Sequence, residues 1–182
     1  MSKFAPILLI LCLAAGFAPA VETIAPVADT SGPTQAYENF YILLLQNNYA
    51  DAYKLLSAPT RQAFERMAKI LKQIGEKIKA LPENNPEKPL AQKILDTLAG
   101  TDGASLFAQI MKISLPAGGT LPPYEPPAEM KITGTLANGH TKKGFPITLY
   151  KESGNWMVDL NSGALNTQCG VLEDYLKGLD KK

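Results

Sequence analysis

The chain has 182 residues, of which 46% are hydrophobic and 19% are charged. This composition is typical of a globular protein and excludes a disordered or fibrous chain. Eighteen Lys and Arg residues nearly balance 17 Asp and Glu residues, which argues against nucleic acid as a partner because polyphosphates are bound by concentrated positive charge.

The first 20 residues have the three parts of a secretory signal peptide. Lys3 supplies a positive charge, an apolar run extends from Phe4 to Phe17, and Ala18-Pro19-Ala20 provides small residues for cleavage. The alternative is an N-terminal membrane anchor, which needs a longer run of about 20 apolar residues. The sequence therefore predicts an exported protein, placed in a bacterial periplasm or, as the alternative, secreted.

Cleavage after Ala20 would remove both Lys3 and Cys12. Seventeen basic and 17 acidic residues then remain, and Cys169 is the one cysteine of the mature chain. A single cysteine cannot form a disulfide within its own chain. Cys169 is therefore either a small buried apolar residue or a thiol that pairs between chains.

The length that remains after the leader corresponds to one domain. Residues 21–33 are rich in Pro, Ala and Thr and indicate a flexible linker. We expect a single α+β domain over residues 34–182. It has a helical part at 34–113, a proline-rich spacer at 116–127, a β-meander at 129–160 and a closing helix at 164–179.

Apolar residues at spacings of three and four predict five helices in the first part of the domain. The first begins near Pro33, a short second helix covers Tyr49 to Leu56, and a long third helix runs from Pro59 to about Ala80. Two more helices cover residues 90–98 and 106–111. Residues 112–115 are an alternative short strand.

Beyond the spacer, apolar and polar residues alternate with period two, which indicates β-strands. Three strands are predicted, with turns at Asn138-Gly139 and Ser153-Gly154-Asn155. Their common apolar face needs a cover, and we expect the preceding helices to pack on it. The residues predicted to point to this interior are Met130, Ile132, Phe145, Ile147, Leu149, Trp156 and Val158.

Two stretches of the sequence carry a family resemblance. The first combines Tyr37-x-x-Phe40-Tyr41 with NYADAYKLLS at residues 48–57, and the second is LYKESGNWMVD at residues 149–159. Together they resemble small exported bacterial members of the nuclear transport factor 2-like superfamily. The resemblance implies helices wrapped around a curved antiparallel sheet of four or more strands to form a cone. Three predicted strands, a longer helical part and a C-terminal helix depart from the usual family pattern.

The sequence lacks the residue sets that catalysis or metal binding requires. His140, the one histidine, falls in a predicted turn, and the mature chain has no Cys or His pair for zinc. Enzymes of the resembled superfamily usually hold an Asp–His or Tyr–Asp pair inside the cone, whereas the interior predicted here is apolar. We therefore predict no catalytic residue, no metal and no cofactor. An enzyme stays a hypothesis only if Asp159 or Glu129 is buried in a pocket.

Two groups of side chains are candidates for function. The first would line a pocket for an apolar ligand, with core packing as the alternative, and comprises Tyr37, Tyr41, Phe64, Phe145 and Trp156. The second is the basic face of the third helix, with a solvated helix surface as the alternative, and comprises Arg66, Lys69, Lys72 and Lys77.

The sequence thus predicts an exported, non-enzymatic binding domain that holds a small apolar ligand or a partner protein. The alternative is an envelope-associated protein that contacts an anionic membrane surface through the basic helix at residues 60–80.

Overall fold

The computed structural model describes residues 32–85, 88–98, 102–114 and 125–179. The fold is α+β, as predicted: helices come first, a four-stranded antiparallel sheet follows, and a C-terminal helix closes the described chain. The predicted leader, nearly all of the predicted linker and most of the proline-rich spacer lie outside the described residues, so those predictions stay predictions.

Within the described residues, six helices form within a few residues of where the apolar spacing predicts them. They are α1 (Pro33–Leu45), α2 (Tyr49–Lys54), α3 (Ala58–Lys79), α4 (Lys88–Leu98), α5 (Gly103–Ser114) and α6 (Ser162–Leu179). Their starts have local causes: Pro33 suits the first turn of α1, and the Asn48 side chain caps α2 by accepting from Asp51 N at 3.3 Å. The alternative strand at residues 112–115 is wrong as far as it is described, because residues 112–114 belong to α5.

The sheet has four strands in the order β1-β2-β3-β4, where three were counted from the sequence. They are β1 (Pro127–Thr133), β2 (Leu136–Thr141), β3 (Pro146–Glu152) and β4 (Asn155–Asp159). The additional strand arises because the chain turns back at Gly134, whose φ is 61°. A glycine with positive φ at the first central position gives the type II′ turn that closes a two-residue hairpin.

The predicted turn at Asn138-Gly139 is wrong, since both residues lie inside β2 opposite Lys131 and Met130. Gly139 serves close strand packing instead of a turn. A Cβ atom at Gly139 would collide with the carbonyl oxygen of Glu129 and the Sδ atom of Met130. The predicted turn at Ser153-Gly154 is confirmed, with φ values of 49° and 90° that match a type I′ hairpin.

The described residues group into two compact units. The sheet unit comprises residues 32–61 and 125–162, and the helical unit comprises residues 62–85, 88–98, 102–114 and 163–179. The prediction of a single domain stays a prediction.

In the sheet unit, α1 packs on β4 and β1, as expected for helices that cover an apolar sheet face. Ile147, Leu149, Trp156 and Val158 are at most 4% exposed, which confirms that they point inward. Ile132 lies on the same face, opposite Ala137, but is 55% exposed. Phe145 is 63% exposed, so the inward prediction is wrong for Phe145. Ile132 lies on the edge strand, and Phe145 lies in the turn before β3, where Thr141 N bonds its carbonyl at 2.9 Å.

The helical unit has an apolar interior. Its fully buried side chains include Met67, Ile74, Ile78, Leu106, Phe107 and Leu172. Cys169 is also fully buried, and its thiol lies 3.5 Å from the carbonyl oxygen of Ala63. Burial raises the pKa of the Cys169 thiol. The structure therefore supports the interpretation of Cys169 as a small core residue.

Candidate functional site

The five residues of the predicted aromatic pocket lie in three different environments. Phe64 and Trp156 are core residues, each 3% exposed, whereas Phe145 is 63% exposed. In the helical unit, Phe64 meets the ring of Phe107 edge-on, with centroids 5.5 Å apart. In the sheet unit, the Lys151 ammonium lies 5.8 Å from the centroid of the Trp156 ring. Core packing, the alternative interpretation, thus describes Phe64 and Trp156.

Tyr37 and Tyr41 remain together and form the centre of a different site. They lie one turn apart on α1, half-buried, with ring centroids 6.4 Å apart and planes tilted by 35°. Glu125, which precedes β1, acts electrostatically on both phenols. Its carboxylate forms a salt bridge with Lys143, from the loop between β2 and β3. We call Tyr37, Tyr41, Glu125 and Lys143 the tyrosine–glutamate cluster.

Burial and charge together set the ionisation of this cluster. Burial raises the pKa of Tyr37, and the negative charge of Glu125 raises it further. Burial also raises the pKa of Tyr41, with additional effects from Tyr37 and Glu125. The Lys143 ammonium lowers the pKa of Glu125 against the opposing effect of burial, and the Thr141 hydroxyl also lowers it. Near neutral pH the cluster therefore presents two neutral phenols beside a carboxylate.

One carboxylate oxygen of Glu125 has no hydrogen-bond donor among the described residues. The side chain is 19% exposed, and its Oε2 atom is buried without a partner. A buried acceptor without a donor is unfavourable, whereas the exposed part of the same carboxylate is open to an incoming N–H or O–H group. Aromatic rings beside a carboxylate fit a Lys or Arg side chain, which has an apolar stem and a cationic head.

Sequence reasoning missed Glu125 and Lys143. Glu125 lies in the predicted proline-rich spacer, and Lys143 follows a segment that was assigned to a turn. The register of β1 and β2, which places Pro127 opposite Thr141, brings the two side chains together. A single acidic residue inside an apolar, proline-rich stretch was the one signal that could have pointed to Glu125.

The residues of the predicted basic surface also lie in different environments. Arg66 is held by the Glu173 carboxylate, with Nη2 and Oε1 2.8 Å apart, and its Nη1 lies 3.4 Å from the Asn166 side chain. Lys69 and Lys72 are exposed, and no described acidic residue lies within salt-bridge distance of them. Thus only part of the predicted basic set is available for an external partner.

Lys77 lies instead beside a cleft of about 390 Å³ between the ends of α3 and α6. The residues that line the cleft are Gln73, Glu76, Lys77, Ala80, Leu176 and Lys177. The apolar side of α3 is occupied by the interior of the helical unit, where Ile74 and Ile78 are fully buried. The helix therefore has no free apolar face that could insert into a bilayer.

The acidic residues considered for catalysis have other roles. Glu129 is exposed on β1. The half-buried Asp159 accepts hydrogen bonds through Oδ1 from Thr60 at 2.6 Å, from Ser57 at 3.0 Å and from Ser162 N at 3.3 Å. These bonds tie the end of β4 to the start of α3 and cap α6. The carboxylate is engaged in structure, which does not favour a role in catalysis.

His140 lies inside β2 opposite Glu129, and the turn predicted for it is wrong. Its side chain is exposed. In the described parts of the chain, no group of three or more His, Cys, Asp or Glu side chains is placed to hold a metal ion. None of the described helices combines the length and hydropathy needed to cross a membrane.

Compared with known proteins, the chain matches no family model, no curated protein and no solved structure. The resemblance to the nuclear transport factor 2-like superfamily stays a prediction.

Proposed function

We propose that the protein is an exported, non-enzymatic binding domain that recognises a partner protein through the tyrosine–glutamate cluster. The observation that carries the proposal is the pair of half-buried rings of Tyr37 and Tyr41 beside the carboxylate of Glu125, whose side chain is 19% exposed. The cationic head of a Lys or Arg side chain of the partner bonds the exposed part of this carboxylate while its stem packs on the rings. Export rests on the leader pattern of the first 20 residues.

A partner protein is favoured over the small apolar ligand that the sequence left as the other choice. An apolar ligand needs a concave site lined mostly by apolar side chains. Two members of the aromatic set, Phe64 and Trp156, are used as core residues, and a third, Phe145, is exposed. The two that remain, Tyr37 and Tyr41, lie beside charge, which suits a polar contact at a protein interface.

Site-specific photo-crosslinking in exporting cells tests the proposal. A benzophenone amino acid in place of Tyr37 reports contacts at the cluster, and the same amino acid in place of Tyr150 is the matched control. Tyr150 is also half-buried, but alternation along β3 puts it on the face opposite to Leu149. We expect a discrete protein adduct from position 37 and none from position 150.

A Glu125 variant tests whether the charge of this carboxylate contributes to the interaction with the partner. Glu125→Gln removes the charge but keeps the shape, so we expect the adduct at position 37 to fall about tenfold, the loss of one charge-assisted hydrogen bond. Circular dichroism checks that the variant folds. Equal adducts at both positions, or an adduct that Glu125→Gln leaves unchanged, would contradict the proposal.

A second candidate function rests on Lys69 and Lys72, which are exposed on α3 without a described acidic partner. In this function the protein adheres to anionic headgroups by charge alone, without insertion. Co-sedimentation with phosphatidylglycerol vesicles should then weaken steeply with salt and be lost in Lys69→Glu/Lys72→Glu. Equal binding to phosphatidylcholine vesicles would rule this function out.

A further inference from the structure

The two edges of the sheet differ in the described residues. On the β4 side, the segment after α2 covers the edge, because Ser57 N bonds Val158 O and Val158 N bonds Leu55 O, each at 2.8 Å. On the β1 side, no described strand pairs with the edge. An uncovered edge strand is a template for pairing with another strand.

The hairpin geometry shows which backbone groups of β1 are free to pair. Thr133 and Leu136 close the two-residue turn and face one another in register, so their N–H and C=O groups bond each other. The direction in which the backbone N–H and C=O groups point alternates from residue to residue along an antiparallel strand. Those of Met130 and Ile132 therefore point away from β2. Two backbone positions are therefore available along the open edge.

A row of apolar side chains across the sheet ends in an exposed side chain at the same edge. The register places Ile132, Ala137, Leu149 and Val158 side by side on the inward face. Ala137 and Leu149 are fully buried and Val158 is 3% exposed, whereas Ile132 is 55% exposed. Ile132 is thus the uncovered end of a row that is buried along the rest of its length.

The charges of β1 complement a second copy of the same strand. Glu129 and Lys131 flank Met130 on the outward face; both are exposed, and neither forms a salt bridge with a described residue. An antiparallel pair with a two-fold axis at Met130 places Glu129 of each copy opposite Lys131 of the other. A shift of the axis by one residue places lysine opposite lysine or glutamate opposite glutamate, which is unfavourable.

We propose that β1 pairs antiparallel with β1 of a second copy of this chain, in the register centred on Met130. The two four-stranded sheets then become one continuous sheet, and Ile132 lies next to the irregular segment at residues 127–129 of the second copy. The arrangement closes on itself with two-fold symmetry, since the other edge of each sheet is covered. A single lysine on an edge strand disfavours pairing with another strand. In this register Lys131 of each copy faces Glu129 of the other, so the two copies attract one another.

Sedimentation velocity of the purified protein over a range of concentrations tests the pairing. Glu129→Lys and Lys131→Glu each place like charges opposite one another at two symmetric positions, and we expect each to weaken dimerisation about tenfold. The double variant Glu129→Lys/Lys131→Glu restores opposite charges and should regain wild-type association to within about threefold. Lys142→Glu, at an exposed position outside β1, is the matched control and should leave association unchanged.

Amide hydrogen exchange gives a readout that needs no variant. At concentrations where the dimer forms, the N–H groups of Met130 and Ile132 should exchange more slowly than in the dilute monomer. A protein that stays monomeric throughout, single reversals that leave the dimer unaffected, or a double variant no better than the singles would each overturn the proposal.

Discussion

The sheet unit and the helical unit place their polar side chains differently. The four buried polar residues in the described chain, Asn39, Ser57, Thr60 and Thr141, all belong to the sheet unit. The described buried side chains of the helical unit are apolar, with Cys169 as the one thiol. The sheet unit is therefore held in part by directional bonds at particular atoms, whereas the helical unit depends on filled volume.

The largest expected effect tests whether the stability of the helical unit depends on the filled volume of its interior. Phe107 is fully buried in the helical unit, so Phe107→Ala should lower the free energy of unfolding by about 3–5 kcal/mol through lost burial and the cavity left behind. Urea denaturation followed by circular dichroism measures it. Phe107→Leu, the control that keeps most of the volume, should cost much less. A loss below about 1 kcal/mol for the alanine variant would show that this interior is loosely packed.

The second effect tests whether the stability of the sheet unit depends on directional hydrogen bonds. Thr60→Val keeps the shape of the side chain but removes the hydroxyl that bonds Asp159 at 2.6 Å and accepts from Leu160 N at 3.1 Å. We expect it to lower the free energy of unfolding by about 1–3 kcal/mol, because buried polar groups lose their partner. Thr60→Ser retains the hydroxyl and should keep most of the stability. Equal losses in the two variants would assign the effect to packing instead.

The third prediction concerns alkaline pH and the sheet unit. Burial, then Tyr37 and Glu125, raise the pKa of Tyr41 above its ordinary value of 10.0. The stability linked to this shift is present below pH 10 and is lost as pH rises through the folded-state pKa. Urea denaturation at increasing pH should therefore show a smaller alkaline loss of stability in Tyr41→Phe than in the wild type.

Tyrosinate absorbance provides the control for that prediction. Burial raises the pKa of Tyr37, Tyr41 and Tyr49, so a pH titration of the folded protein should contain late-ionising tyrosines, with one fewer in Tyr41→Phe. The same titration in concentrated urea should no longer distinguish them, because unfolding removes the burial. A folded Tyr41 that ionises with the unfolded chain would contradict the assigned environment.

The smallest effect concerns surface charge on the helical unit. The side chains of Arg66 and Glu173 form a salt bridge at 2.8 Å, but they are 44% and 34% exposed. Solvent screens such pairs, so Arg66→Ala should cost no more than about 1 kcal/mol in denaturation experiments. The cost should shrink further at high salt. A larger cost that persists in salt would mean that the helical unit also depends on a directional polar contact.

Sequence patterns predicted the parts of the fold whose causes are local. Helix α3 follows from the spacing of Phe64, Met67 and Leu71, and the Ser153-Gly154 hairpin follows from the backbone freedom of its turn. The fourth strand was missed because Asn138-Gly139 has the composition of a turn. Its glycine serves the close approach of Glu129 and Met130 from the neighbouring strand.

The candidate site was predicted only in part. Tyr37 and Tyr41 were grouped in the predicted apolar pocket, and the structure keeps the two rings together, since aromatic residues one turn apart on a helix share a face. Phe64, Phe145 and Trp156 do not join them in one described environment, because burial depends on which element covers each ring. Glu125 and Lys143 were missed, and no local pattern connects two residues that meet only across a pair of strands.

The sequence by itself determined the α+β class, the positions of the six described helices and the residue inventory, with His140 as the one histidine. Helix periodicity, caps and residue inventory are local properties, so they can be determined without knowing the fold. Only the tertiary structure decided the register of the sheet, the contact of Glu125 with Lys143, and the uncovered edge at Ile132. Strand pairing joins residues far apart in the chain, and a change of one residue in register moves each side chain to the other face.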